Sequence, residues 1–375
     1  MSGYMMRGFL QKVPKSELHV HLRGAMPVDT FARLIHKYAD IGIWEQEPAA
    51  KKSLYYRKFS NLKSVMNGKT RTYEDLSSFF QYKGFEHFIA TFSLTGYYFR
   101  EIDDFRLLIR GVIDYLIGQS VIYAEITISI NEYIRQGIPI EAIRDCLDEA
   151  AEDNRIRVQW IIDFVRDYGS EHALLLLHKI KALNFKSVVG ITLGGREYSR
   201  PAREFTRVYQ TAREYGMHLS IHAGEACGPE SVWEALRFLD VDRIGHGVRA
   251  VEDPALVEYL AEHNIPLEIC PTSNIRTGII QSYQKHPIKK LLEAGVLVTI
   301  NTDDPTFFET TLMNEYIICT HQMGLSPEQL YEVMQNGFTC AFLPLDDKRK
   351  YLNYLEQKWN QSVPDFDSIV RKDGE

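Results

Sequence analysis

Met217-His218-Leu219-Ser220-Ile221-His222-Ala223-Gly224-Glu225 opens as an apolar, alternating run and breaks at Ala223-Gly224. A strand that ends in a glycine turn is the simplest reading. It puts His222 and Glu225 three positions apart at the C-terminal mouth of that strand. A neutral imidazole is a good zinc ligand, and a carboxylate beside a metal site can carry protons. Alone, the pair fits a buried histidine bonded to a neighbouring glutamate equally well. What the other strand ends supply decides between the two.

Upstream, Glu17-Leu18-His19-Val20-His21-Leu22 alternates polar and apolar residues before Arg23-Gly24-Ala25-Met26-Pro27. Residues two apart in a strand point to one side, so His19 and His21 aim both imidazoles at one place. A half-exposed strand with two polar outward residues is the competing reading. Further strand-like runs follow at 121–128, 156–164, 187–193, 243–247, 266–270 and 296–301, each followed by helical sequence. With the first strand and the central one, that makes eight. Most are continuously apolar, as strands buried on both faces are. Eight βα units predict a closed parallel (β/α)8 TIM barrel.

About 95 residues separate the first two strands, too many for a simple crossover. A helical insertion over about 28–118 accounts for them. Asp29 to Tyr38 is amphipathic, residues 45–70 read as an irregular surface insertion, and 74–118 return to helical spacing. The last of these is rich in aromatics, among them Phe79, Phe80, Phe88, Phe92, Tyr97, Tyr98, Phe99 and Phe105. They suit either helix core or an apolar lid. Pro14 ends a short leader, and two or three extra helices follow Ser326. The whole chain, 1–375, is expected to form one domain, with no repeats and no low-complexity linker.

With 45% apolar and 25% charged residues, the composition is that of an ordinary globular protein. A net charge of −7 argues against nucleic acid as partner, since phosphate binding wants a basic face. The cysteines, Cys146, Cys227, Cys270, Cys319 and Cys340, are odd in number and form no C-x-x-C, so neither a disulfide framework nor a thiolate zinc site is expected. No signal-peptide core and no membrane-spanning run is evident, which makes the cytoplasm the expected location. Nothing in the sequence bears on oligomeric state.

In such a barrel the loops after the strands build the active site. There the sequence places His19, His21, Gly194-Gly195, His222, Glu225, His246 and Asp303-Asp304. Three imidazoles and a carboxylate fit a zinc site with room for water. Singly, Asp303-Asp304-Pro305 is a turn or helix cap, Gly194-Gly195 a tight turn and His246 a packed histidine. Jointly, chance would not gather all of them at one barrel end.

Six ordered motifs carry a resemblance: H-x-H-x-x-G-A (His19 to Ala25), L-x-G (Leu193 to Gly195), H-A-G-E (His222 to Glu225), R-I-G-H-G (Arg243 to Gly247), C-P-T-S-N (Cys270 to Asn274) and N-T-D-D-P (Asn301 to Pro305). From about Pro14 to Asn336 the chain resembles the adenosine deaminase family of metal-dependent amidohydrolase-type barrels. The resemblance implies one zinc ion on His19, His21, His222 and Asp303, and a purine nucleoside as substrate. It implies that Glu225 protonates the ring nitrogen beside the amino-bearing carbon. His246 would orient the attacking oxygen, Asp304 would hydrogen-bond the five-membered-ring nitrogen, and the Gly195 N–H would meet the other pyrimidine-ring nitrogen. The implied reaction converts a 6-aminopurine nucleoside to its 6-oxo form and ammonia. Another aminated ring, adenine or a pterin, is the alternative.

The chain departs from the family pattern at Arg23, where adenosine-specific relatives carry an Asp that meets the ribose 5′-hydroxyl. Arg196 and Arg276 also stand where an acidic and an uncharged residue are usual. Each arginine is either a solvated surface group or a contact for a substrate extended at its 5′ end, such as aminodeoxyfutalosine, adenosylhomocysteine or a nucleotide.

Overall fold

The computed structural model describes residues 2–39, 76, 79–82 and 85–372. Eight parallel strands stand in chain order: β1 (Lys15–His21), β2 (Val121–Ile128), β3 (Arg157–Asp163), β4 (Val188–Thr192), β5 (His218–Ala223), β6 (Arg243–His246), β7 (Leu267–Ile269) and β8 (Val298–Ile300). The seam between the last strand and the first closes just past β8. There the His21 N–H donates to the Asp303 carbonyl and the Asp303 N–H to the His19 carbonyl, both at 2.9 Å. The barrel is therefore sutured by the backbone of three of the histidine and aspartate residues singled out above.

The strands are buried on both faces, which is why they read as continuous apolar runs. Val20, Ile126, Trp160, Ile191, Ile221, Ile244, Ile269 and Ile300 are all at most 1% exposed. Each such side chain contributes roughly 1.5–3 kcal/mol by leaving water. Helices lie between consecutive strands, for example Ser170–Leu183, Pro229–Leu239 and Pro254–Glu262. The last two begin with proline at a first-turn position that needs no N–H.

Two features depart from the expectation. The residues before Pro14 form a helix, Ser2–Lys12, and not a loose leader; Phe9 packs edge-on against Trp359 of the long C-terminal helix Leu345–Lys372, with ring centroids 5.2 Å apart. Short helices also follow several strands directly: Ile130–Arg135, Pro271–Arg276 and Pro305–Phe308. They are too short for a helical period to show in sequence, and each carries residues of the cavity or its supports.

Within the insertion, helices Val28–Lys37, Phe85–Thr95 and Ile102–Gly118 are present. The expected irregular segment at 45–70 lies outside the described residues. Much of the aromatic run forms packed core: Phe31, Phe79, Phe80 and Tyr98 pack ring on ring, and Phe80, Phe88 and Phe92 meet Phe307 beyond β8. Phe88 and Phe92 also line the cavity described next. No helix among the described residues is long and apolar enough to cross a membrane, and all five cysteines are free.

Candidate active site

A cavity of about 400 Å³ opens at the C-terminal ends of the strands. His21, His222, Glu225, His246, Asp303, Asp304 and Gly195 line it. Their placement follows from the local fold. β1 projects His19 and His21 to the same side. β5 carries His222 and breaks at Gly224, whose φ of +67° turns the chain so that Glu225 follows at the rim. His246 and Asp303 hold φ values of +61° and +64°, a left-handed conformation that costs energy for a non-glycine residue. His246 is the last residue of β6, and Asp303 lies three residues past the end of β8.

His19, His21, His222 and Asp303 offer ligand atoms that lie within 4.8 Å of one another. His21 Nε2 and His222 Nε2 approach to 3.3 Å, and His21 Nε2 and Asp303 Oδ1 to 3.3 Å. His19 Nε2 is buried without a hydrogen-bond partner. A buried ring nitrogen with no bond of its own, aimed at this cluster, is what a cation would satisfy. Burial pushes the pKa of His222 well below the usual histidine value, helped by the three neighbouring imidazoles, and burial likewise lowers that of His19. Both rings are thus neutral, the form that ligates. Burial also disfavours charge on His21, but Asp304, Asp303 and Asp163 outweigh it and push its pKa up to about 10. Burial works against charge on Asp303, but its hydrogen bond to His21 and the neighbouring imidazoles outweigh it and hold its pKa well below the usual carboxylate value, so the set includes one anionic donor for a cation.

Supports hold each ligand. His19 Nδ1 lies 2.7 Å from Glu268 Oε2, His222 Nδ1 3.4 Å from Thr192 Oγ1, and Ser273 Oγ donates to Asp303 Oδ2 at 2.7 Å. Such partners fix ring tautomer and ligand orientation. Behind Glu268, Arg243 donates from Nε to Glu268 Oε1 at 2.6 Å and from Nη2 to Glu125, and it lies over the Phe342 ring. Burial raises the Glu268 pKa, but Arg243 and His19 outweigh it and hold it at about 2. Replacing Arg243 by Leu strands two buried carboxylates. We expect a loss of ~3–5 kcal/mol in unfolding free energy, read from urea denaturation. Arg243→Lys should recover only part of it, because a single ammonium cannot bridge both acids.

Two carboxyl groups and a histidine stand beside the cluster. Glu225 Oε2 lies 3.7 Å from His246 Nε2, and burial raises the Glu225 pKa. Burial and then the charge of Asp303 push the Asp304 carboxyl well above its ordinary value, so it holds its proton. Asp304 Oδ1 is buried without a partner, which leaves a donor for a ring nitrogen. Gly24 makes room for it: a Cβ on Gly24 would stand 1.8 Å from Asp304 Oδ1. Gly195 has φ +85°, and a Cβ there would meet Asp167 Oδ2 at 2.9 Å.

Arg23 is not among the cavity-lining residues. Its side chain is 5% exposed; Nη1 pairs with Glu132 Oε2 at 2.6 Å and the guanidinium sits over Phe92 at 4.0 Å. Glu132 and Phe92 are the residues that line the cavity there, while Arg23 Nε is buried without a partner. Arg196 lines the mouth and is half exposed, 3.8 Å from Asp167 Oδ1. Arg276 turns away to pair with Glu309 at 2.8 Å.

Comparison with known proteins agrees with this geometry. The family model described as adenosine deaminase matches residues 64–358. The chain belongs to the adenosine deaminase family. As a member it is a hydrolytic deaminase acting on the amidine C–N bond of a purine. It is 33% identical over 355 residues to an aminodeoxyfutalosine deaminase of Streptomyces avermitilis, an alignment spanning 93% of this chain and 92% of that one. It is 41% identical to an adenosine deaminase of Klebsiella pneumoniae over 214 residues, 56% of this chain and 62% of the other. Among solved structures, an amidohydrolase from Burkholderia ambifaria with bound zinc superposes with a TM-score of 0.76 at 26% identity, covering 97% of this chain and 94% of that one.

Several residues that shape this cavity were not singled out from the sequence. Glu197 accepts from the N–H groups of Gly224 at 2.7 Å and Cys227 at 2.7 Å and so pins the loop that carries Glu225. Asp163 accepts from the Gly194 N–H at 2.7 Å and holds the glycine turn. Glu125 and Glu268 had a signal: a charge inside an otherwise apolar strand needs a buried partner.

Proposed function

We propose that this family member is a zinc-dependent deaminase of adenosines substituted at the 5′ position, with an acceptor-bearing, partly aromatic substituent of the aminodeoxyfutalosine kind. His19, His21, His222 and Asp303 would hold the zinc. Three imidazoles and a carboxylate are a donor set that zinc favours, and the zinc-bound Burkholderia structure supports the choice. When bound, the ion would lower the pKa of a water molecule towards neutrality and supply the nucleophile. Glu225, its pKa raised by burial, would give a proton to the purine ring nitrogen next to the amino-bearing carbon, making that carbon electrophilic. Protonated Asp304 would donate to the five-membered-ring nitrogen, and the Gly195 N–H would meet the remaining pyrimidine nitrogen. His246 would steady the attacking oxygen and the charge that develops on it.

The observation that carries the 5′ assignment is Arg23. It stands where an acceptor carboxylate meets a 5′-hydroxyl in adenosine-specific relatives. An arginine donates only, and here one buried N–H lacks a partner. Paired with Glu132 behind the cavity wall, Arg23 leaves no carboxylate of its own for a plain 5′-hydroxyl, and the ring of Phe88, Ile89, Phe92 and Phe308 would suit an apolar body. The alignment with the Streptomyces aminodeoxyfutalosine deaminase over nearly the full chain supports this choice. The test is ammonia release from adenosine, methylthioadenosine, adenosylhomocysteine, AMP and aminodeoxyfutalosine. We expect the last to be preferred. In the double variant Arg23→Gln/Glu132→Gln, which removes the buried pair together, kcat/KM on it should fall about 10- to 100-fold relative to adenosine, as the loss of one charged hydrogen bond implies. An unchanged ratio would make Arg23 a structural partner of Glu132 alone.

A further inference from the structure

Behind His246 lies a chain of polar groups whose directions are all determined. The Ile288 N–H donates to His286 Nδ1 at 3.2 Å. A backbone N–H can only donate, so that ring nitrogen is bare. Burial pushes the His286 pKa down to about 3, so the ring is neutral and carries its single proton on Nε2. His286 Nε2 faces Asn274 Oδ1 at 3.2 Å. The amide of Asn274 is thereby oriented, its oxygen accepting from His286 and its NH2 turned towards His246 Nδ1, 3.4 Å away. An amide NH2 only donates, so Nδ1 of His246 accepts and the His246 proton must sit on Nε2. All three side chains are buried, Asn274 completely, so water does not substitute for any of these partners.

We propose that His286 and Asn274 are positioning residues that lock His246 in the Nε2–H tautomer, making it a hydrogen-bond donor towards the reacting oxygen and not a base. The proton-bearing nitrogen faces the space bounded by Glu225 Oε2 at 3.7 Å and Asp303 Oδ2 at 3.9 Å. The proposal rests on the role given to His246 above and deepens it. The acid role then stays with Glu225, and His246 meets the reacting oxygen as a hydrogen-bond donor.

Two readouts test the relay. Long-range 15N–1H correlation spectra of histidine-labelled protein, metal-free and zinc-loaded, report which ring nitrogen carries the proton. The expected result for the wild type is Nε2–H with bare Nδ1 for both His246 and His286; an Nδ1–H signal at His246 would overturn the proposal without any variant. In Asn274→Asp the new carboxylate can only accept, so His246 should move its proton to Nδ1. The same variant should lose about 10- to 100-fold in kcat with KM altered little. His286→Gln still offers an N–H to Asn274 and should recover most of the activity lost in His286→Leu. Equal losses in these two variants, or normal turnover in Asn274→Asp, would contradict the relay. The wild-type tautomer pattern supports it even should no substrate be turned over, which separates this inference from the functional reading.

Discussion

Glu225→Gln is expected to fold, to bind metal at the wild-type level and to lose at least ~100-fold in kcat. The amide nearly matches the carboxyl in volume, and Glu225 is outside the group of four ligands. Its backbone N–H bond to Glu197 Oε2, at 3.3 Å, does not involve the side chain. What the variant lacks is a proton to give. The buried carboxyl, with its pKa raised, is suited to protonating a ring nitrogen, and an amide cannot do so. KM should change far less than kcat, because the lost interaction forms mainly in the transition state. Thermal melting and metal analysis of the same preparation separate this outcome from damage to the site. Near-normal turnover would assign the acid role to another group.

The second large effect is that of His21→Ala. We expect bound metal to fall from about one equivalent to a small fraction and activity to disappear with it. His21 Nε2 lies 3.3 Å from both His222 Nε2 and Asp303 Oδ1, at the centre of the ligand set. Only three of the four converging donors would remain, one imidazole short of the set that zinc favours. Metal content by elemental analysis and activity after dialysis against chelator should fall in parallel. A metal-free preparation with full activity would refute the metal-dependent account.

How much of this was legible in the sequence differs from element to element. β2 was readable to its ends, because Val121–Ile128 is a largely β-branched and apolar run. The helix Pro229–Leu239 was readable for a similar reason, as its proline fixes the start. The clustering of His19, His21, His222 and Asp303 was readable because strands project alternate residues to one side and because the barrel gathers strand ends. The helix Ser2–Lys12 was not, since its apolar face makes sense only against the C-terminal helix that covers it. The supports of the site were also hidden. Glu197 and Asp163, and the bond that Asn274 makes, show no purpose in sequence until the fold brings them against Gly224, Gly194 and His246. Arg23 was legible as a departure from pattern, but its partner was not: Glu132 lies over a hundred residues on, in a helix too short to announce itself.

The most direct test of the central claim is turnover in water labelled with 18O. Zinc-loaded protein is incubated with a 5′-substituted adenosine and with adenosine, and ammonia and purine product are measured together. The account predicts ammonia and 6-oxopurine nucleoside in equal amounts, with a single 18O atom at the carbon that carried the amino group. Failure to release ammonia from any 6-aminopurine nucleoside, by protein shown to be folded and metal-loaded, would contradict it.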